Sequence, residues 1–265
     1  MSARGNYLSQ DRTDLSYSTK ELCRDFAVPN NTSFAKLKRV GRYCVGRPRL
    51  VYKFAFQEKP DAIDTYVDTD FAGCAVTRRS TSGGVSMVGS CCVKHWSKTQ
   101  STIALSSGEA ELGGIAYGTA QALGLQSVCR DLGMELKLRV HSDATAAIGI
   151  TKRRGLGRIR HLATTDLWIQ EKIRDGKVEL LKILGTENPA DVLTKYVDKK
   201  TMEAALAKLS LEFQEGRSQI APNIKGKSTA PEVKEGRNSV SQALPGQSQM
   251  TTAESVLPEA KPKNP

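Results

Sequence analysis

No run in the sequence approaches the ~18 consecutive apolar residues of a membrane-spanning helix, so no membrane partner is expected. The opening residues Met1-Ser-Ala-Arg-Gly-Asn lack the apolar core of a secretory signal. The six cysteines (Cys23, Cys44, Cys74, Cys91, Cys92, Cys129) contain no Cys-x-x-Cys pair, and the three histidines are scattered. That pattern argues against structural zinc and a disulfide framework. It fits reduced thiols in a cytoplasmic or nuclear protein. The phosphate-loop pattern Gly-x-x-x-x-Gly-Lys-Ser/Thr is missing, which argues against an NTPase. Hydrophobic residues are also scarce, at 39% of 265 residues, against roughly 45–50% in an average globular chain. One packed core plus a stretch that does not pack is the expectation.

The charge is positive and uneven. Residues 1–60 carry 12 basic and 5 acidic side chains, residues 61–215 carry 20 and 19, and residues 216–265 carry 7 and 4. The net +11 makes a polyanion such as nucleic acid a candidate partner. The last fifty residues hold no Asp, Trp, Tyr or Phe and no periodic apolar pattern. Such a segment cannot bury enough surface to offset its ordering entropy, so 216–265 is expected to be disordered.

Residues 1–60 read as helices. Pro29 would end the first, and Asn31-Thr-Ser would cap an amphipathic second. Lys36, Lys38, Arg39 and Arg42 on that helix, with Arg47 and Arg49 after it, suit phosphate contact. Between 61 and 215 the order reads β-β-β-α-β-α-α-β-α. The alternation of Thr65–Phe71 predicts a strand, and Gly83–Gly89 and Cys91–Ser97 follow at hairpin distance. Ser106 and Glu109 have capping-box spacing and open a long helix to about Leu132. Leu136–Ser142 reads as a strand, Ala144–Ile150 as a short helix and His161–Arg174 as a helix. Lys177–Leu184 reads as a strand, and Pro189–Tyr196 as a helix with proline near its start.

Four acids fall at chemically costly places in that order. Asp68 lies inside the first strand, Glu111 in the first turns of the long helix, Asp143 just after the fourth strand, and Asp191 at the start of the last helix. Each flanks an apolar run, where a carboxylate is expensive to bury unless paired or metal-bound. Acids converging from such points could hold two hard divalent cations, and oxygen donors suit magnesium. Acids at helix starts also complement the helix dipole, but that explains neither Asp68 nor Asp143. His141-Ser-Asp143 lies along one strand, whose alternating faces separate the three, so a nucleophilic triad is not expected.

The residues themselves resemble a known family. Asp68-Thr-Asp-Phe-Ala-Gly-Cys and Arg78-Arg-Ser-Thr-Ser-Gly are similar to motifs of the ribonuclease H region of copia-type LTR retrotransposon Pol polyproteins. Trp96-Ser-Lys-Thr-Gln through Ser106-Ser-Gly-Glu-Ala-Glu-Leu resembles a third. Ser142-Asp-Ala-Thr-Ala-Ala, Arg158-Ile-Arg-His-Leu and Ala190-Asp-Val-Leu-Thr-Lys follow in family order. Asn6-Tyr-Leu-Ser-Gln-Asp-Arg-Thr-Asp-Leu and Leu37-Lys-Arg-Val-Gly-Arg-Tyr resemble the end of the preceding reverse transcriptase, whose catalytic Tyr-x-Asp-Asp is absent. Departures are Gly108, Leu112, Ala144-Thr145 and the placing of Asp166.

The resemblance implies an α/β, ribonuclease H-like fold with a mixed five-stranded sheet flanked by helices. It makes residues 1–60 a helical reverse-transcriptase remnant and 61–215 a ribonuclease H-like domain, followed by the tail (216–265) that composition predicts to be disordered. It implies endonucleolytic hydrolysis of the RNA strand of an RNA–DNA hybrid, with Asp68, Glu111, Asp143 and Asp191 holding two Mg2+ ions, Mn2+ serving as substitute. Of Glu109 and Glu111, two apart and about 200° around a helix, Glu111 is the expected ligand. Arg153, Arg154, Arg158, Arg160 and His161 would form a substrate groove, and other parts of a Pol polyprotein are expected partners. An integrase would place its glutamate last, whereas here it comes second. A catalytically inactive remnant that binds nucleic acid is the second reading.

Overall fold

The computed structural model describes residues 2–155 and 164–221. The chain opens with α1 (Ser2–Leu8) and α2 (Ser16–Arg24), then α3 (Asn31–Gly46). Asn30 caps α3: its side chain accepts from the Ser33 amide, and the Ser33 hydroxyl reciprocates to the Asn30 amide. The cap is thus one residue earlier than expected. β1 (Arg49–Tyr52) follows, then β2 (Ala62–Asp70), β3 (Thr81–Val88) and β4 (Cys91–Thr99). Next come α4 (Ser107–Asp131), β5 (Lys137–Ser142), α5 (Thr145–Lys152), α6 (Thr164–Arg174) and β6 (Glu179–Lys182). A 3-10 turn at Pro189–Leu193, α7 (Lys199–Lys208) and β7 (Leu211–Gln214) complete the described chain.

Five strands form one mixed sheet in the order β4-β3-β2-β5-β6. β2-β3 and β3-β4 are antiparallel; β2-β5 and β5-β6 are parallel. This is the expected ribonuclease H-like sheet, with β2 at its centre. One face packs on α4 through Ile63, Val67, Leu112, Ile115, Val140 and Ile169, all fully buried. The other face packs Val85, Met87 and Cys92 against Val192, Leu193 and Leu206.

Glycines let the layers approach. A Cβ on Gly114 would lie 2.3 Å from Thr69 Oγ1, and one on Gly118 would lie 2.3 Å from Val67 Cγ1. The glycines sit over β2 side chains, so α4 rides directly on the strand that carries Asp68. On the other face, a Cβ on Gly83 would meet Leu193 Cβ and Thr194 Cγ2, each at 2.8 Å. Gly83 pairs with Asp68 across the β2-β3 ladder. The Pro189–Leu193 turn therefore seats beside that acid.

Two expectations are corrected. Residues 1–60 are not all helical: β1 pairs antiparallel with β7 in a separate two-stranded sheet, Arg49 opposite Gln214. Pro189–Tyr196 is not an α-helix. The Thr194 amide donates to the Asp191 carbonyl, three residues back, which is 3-10 geometry.

The N-terminal helices dock on the same unit. α2 packs along β4, where His95 Nδ1 and Ser16 Oγ lie 3.0 Å apart and His95 Nε2 lies 3.0 Å from the Gln10 carbonyl. The Arg12 guanidinium is buried, pairs with Asp14 at 2.7 Å and donates to the Arg47 carbonyl. The expected disordered tail lies, from residue 222 onward, outside the described residues.

Candidate metal and active site

Carboxylate oxygens of Asp68, Glu111 and Asp143 all lie within 4.8 Å of one another. Three elements bring them together. Asp68 comes from β2, two residues before its end, and is 8% exposed. Asp143 follows β5, the parallel neighbour of β2, so its side chain leaves the same edge of the sheet. A Cβ on Gly185 would stand 2.9 Å from Asp143 Oδ2, so that loop closes on the acid.

Glu111 arrives from the first turns of α4. Ser106 Oγ accepts from the Glu109 amide, which fixes the helix start. The return arm of the cap differs from the expected box: Glu109 Oε2 accepts from the Leu105 amide at 2.7 Å. Glu109 is thus spent on the cap while Glu111 turns to the acids.

Asp191 is not within the group of three. Its carboxylate pairs with Lys195, and its charge is felt at Asp68. The turn that carries it is fastened to the sheet. Asn188 Nδ2 donates to the Val67 carbonyl at 2.9 Å, and Asn188 Oδ1 accepts from the Ala190 amide. Thr194 donates its hydroxyl hydrogen to Asp68 Oδ2, and Ser97 donates to the Leu193 carbonyl at 2.6 Å.

The electrostatics record the crowding. Burial, opposed by the Thr194 hydrogen bond and reinforced by Asp191 and Asp143, pushes Asp68 up to about 6. Burial, then Asp68 and Asp143, pushes Glu111 up to about 8. Burial works against the Lys195 ammonium, yet the Asp191 hydrogen bond and the surrounding carboxylates hold it above the ordinary lysine value.

A divalent cation fits this donor set. Among the described residues Glu111 Oε2 is buried with no hydrogen bond of normal geometry, Thr69 being a polar neighbour, a costly state for a carboxylate oxygen unless something cationic meets it. The donors are all carboxylate oxygens, as hard cations prefer.

Arg153 and Arg154 follow α5, in a loop held by Gln170. Gln170 Nε2 donates to the Ile150 and Gly155 carbonyls, and its Oε1 accepts from the Gly155 amide. Arg158, Arg160 and His161 lie outside the described residues. Asn188, Thr194 and Lys195 were not singled out from the sequence. The signals were there: an Asn-Pro step suited to a helix start, and the last two residues of Ala190-Asp-Val-Leu-Thr-Lys.

No family model matches the chain. It is 28% identical over 194 residues to a retrovirus-related Pol polyprotein from transposon TNT 1-94 of Nicotiana tabacum, covering 72% of this chain. A second such polyprotein, from transposon RE2 of Arabidopsis thaliana, is 27% identical over 192 residues and 71% of this chain. Over about 70% of its length the chain is thus similar to retrovirus-related Pol polyproteins of plant transposons. It spans 14% and 13% of the length of those two relatives. The secreted RxLR effector protein 161 of Plasmopara viticola is 36% identical over 115 residues, 43% of this chain and 80% of that protein.

Proposed function

We propose that this Pol-related chain is a ribonuclease H that hydrolyses the RNA strand of RNA–DNA hybrids. The observation that carries the reading is the three-carboxylate group, whose buried Glu111 oxygen has no hydrogen-bond partner among the described residues. Asp68, Glu111 and Asp143, with Asp191 beside them, would hold two magnesium ions, or manganese as substitute. Such ions would supply an activated water and charge neutralisation at the leaving oxygen.

The chain's own residues prepare that chemistry. Thr194 fixes the carboxylate of Asp68, and Asn188 holds the Asp191 turn against β2. Asp68, which is close to Glu111 and Asp143 and feels the charge of Asp191, would be the central ligand. Arg153 and Arg154, with Arg158, Arg160 and His161, would hold the hybrid's phosphates. RNA is recognised through its 2′-hydroxyl. In this reading residues 1–60 are the end of a reverse transcriptase, 61–215 the nuclease and 216–265 a disordered tail. Other Pol segments are partners, and the work is cytoplasmic or nuclear.

One observation favours a second reading, an inactive remnant that binds nucleic acid. Asp191 is occupied by Lys195 and stands apart from the three clustered acids. Cleavage of a labelled hybrid in magnesium or manganese separates the two. The nuclease reading expects cleavage in the unmutated chain and none in Asp68→Asn. Hybrid binding without cleavage in either metal would establish the remnant, and cleavage surviving Asp68→Asn would remove the metal assignment.

A further inference from the structure

A cavity of about 410 Å3 opens between α2, α3 and the segment after Asp191. Its size falls within the roughly 300–1,000 Å3 usual for small-ligand sites. Leu15, Val192 and Met202 give it an apolar floor. Tyr17, Tyr43 and Tyr196 border it, and Tyr17 and Tyr196 meet edge to face with centroids 4.8 Å apart. Burial raises the Tyr17 and Tyr43 phenols above the ordinary tyrosine value, so both stay neutral hydrogen-bond donors.

The rim is basic. Lys36, Arg39, Arg47, Lys195 and Lys199 outnumber Asp14, Asp198 and Glu203. Those acids are engaged: Asp14 by Arg12 at 2.7 Å, Glu203 by Arg47 at 2.9 Å, and Asp198 by the Thr201 amide at 2.7 Å. Among the described residues Arg39 has no ion pair, and it is exposed at the mouth.

We infer that this cavity binds a nucleoside monophosphate, its base against the tyrosines and apolar floor and its phosphate at Arg39, with Lys36, whose ammonium also pairs with Asp25 at 3.1 Å, beside it. Aromatic rings beside cations are the combination that holds a base together with its phosphate. Inorganic phosphate would leave the floor unused, and an uncharged aromatic would leave the cations unused. The nucleotide has two sources: free in solution, or the unpaired end of a strand. Lys195 both lines the cavity and pairs with Asp191, so one side chain joins the cavity to the Asp191 turn. The inference stands on the cavity and does not require hydrolysis.

The test is calorimetry on the full chain in EDTA, titrating AMP, adenosine and inorganic phosphate separately. AMP should bind at least ~10-fold more tightly than either of its halves. Arg39 and Tyr196 are exposed, Tyr196 by 62%, so Arg39→Glu and Tyr196→Ala should melt like the parent. Each should weaken AMP at least ~10-fold. A hybrid with a short single-stranded overhang, compared with a blunt one, assigns the source. An overhang preference lost in Arg39→Glu identifies a strand end, and AMP binding without such a preference identifies the free nucleotide. No AMP binding at about 1 mM, affinity equal to that of phosphate, or binding unchanged in both variants would overturn the inference.

Discussion

Asn188 donates through Nδ2 to the backbone carbonyl of Val67 at 2.9 Å, one residue before Asp68. The bond is buried, with Asn188 only 5% exposed, and it ties the Asp191 turn to the central strand. Asn188→Ala should leave that carbonyl unsatisfied and destabilise the fold by about 1–3 kcal/mol. Urea unfolding monitored by circular dichroism measures it. Hybrid cleavage should fall by more than the folded fraction does, because the turn also positions Asp191. A variant as stable and as active as the parent would mean that the turn is held by Thr194 and Ser97 alone.

The metal-free site sets a pH dependence of unusual sign. Folded Glu111 is raised to about 8 and folded Asp68 to about 6, both above their ordinary carboxylate values. The folded state therefore binds protons that the unfolded state has released. Their contribution to stability is complete below the unfolded pKa and is lost as pH rises through the folded one. In EDTA, this pair should favour the fold at about pH 4 and lose that contribution by about pH 9, Asp68 first. Glu111→Gln should flatten the upper part of that slope. Magnesium should raise the melting temperature most at high pH, where both carboxylates are ionised. Glu109→Gln should keep the magnesium effect, because Glu109 serves the helix cap. If Glu109→Gln abolished it while Glu111→Gln kept it, Glu109 would be the ligand.

The central architecture was legible because strand and helix periods differ. The alternation of Thr65–Phe71 led to β2, and a two-residue offset on a helix separated Glu109 from Glu111. What was not legible is mostly long-range. β1 is four residues long and its partner β7 lies at 211–214, and so short a strand carries little pattern of its own. It was read instead as part of a helical, basic segment. α7, capped by Asp198 through the Thr201 amide, was also missed. The turn at Pro189–Leu193 looked helical because proline suits both helix types at the first position. Lys195 as the partner of Asp191 appears only when the turn is in place.

The basic loop should contribute phosphate contacts. Neutralising Arg153, Arg154, Arg158 and Arg160 should weaken hybrid binding whatever its sequence. It should also reduce the slope of log affinity against log salt by up to about 4, near one per lost contact. Fluorescence anisotropy across a salt series reads both. An unchanged slope would place the duplex elsewhere, and the basic face of α3 would be the next surface to test.

The glycines of α4 separate packing from propensity. A Cβ on Gly118 would lie 2.3 Å from Val67 Cγ1, whereas one on Gly124 would meet nothing within 4 Å. Both sit in the same helix interior, where glycine costs roughly 1 kcal/mol relative to alanine. Gly124→Ala should therefore stabilise the protein by about 0.5–1 kcal/mol. Gly118→Ala gains the same propensity but must push α4 off β2 or Val67 out of its rotamer, which typically costs about 1–3 kcal/mol. Its net effect should be destabilising. Because β2 carries Asp68 and α4 carries Glu111, any lift of the helix also widens the acid group. Gly118→Ala should accordingly weaken magnesium stabilisation, while Gly124→Ala leaves it intact. Paired thermal melts with and without magnesium test this. Equal shifts in the two variants would mean that α4 is not seated on β2 through Gly118.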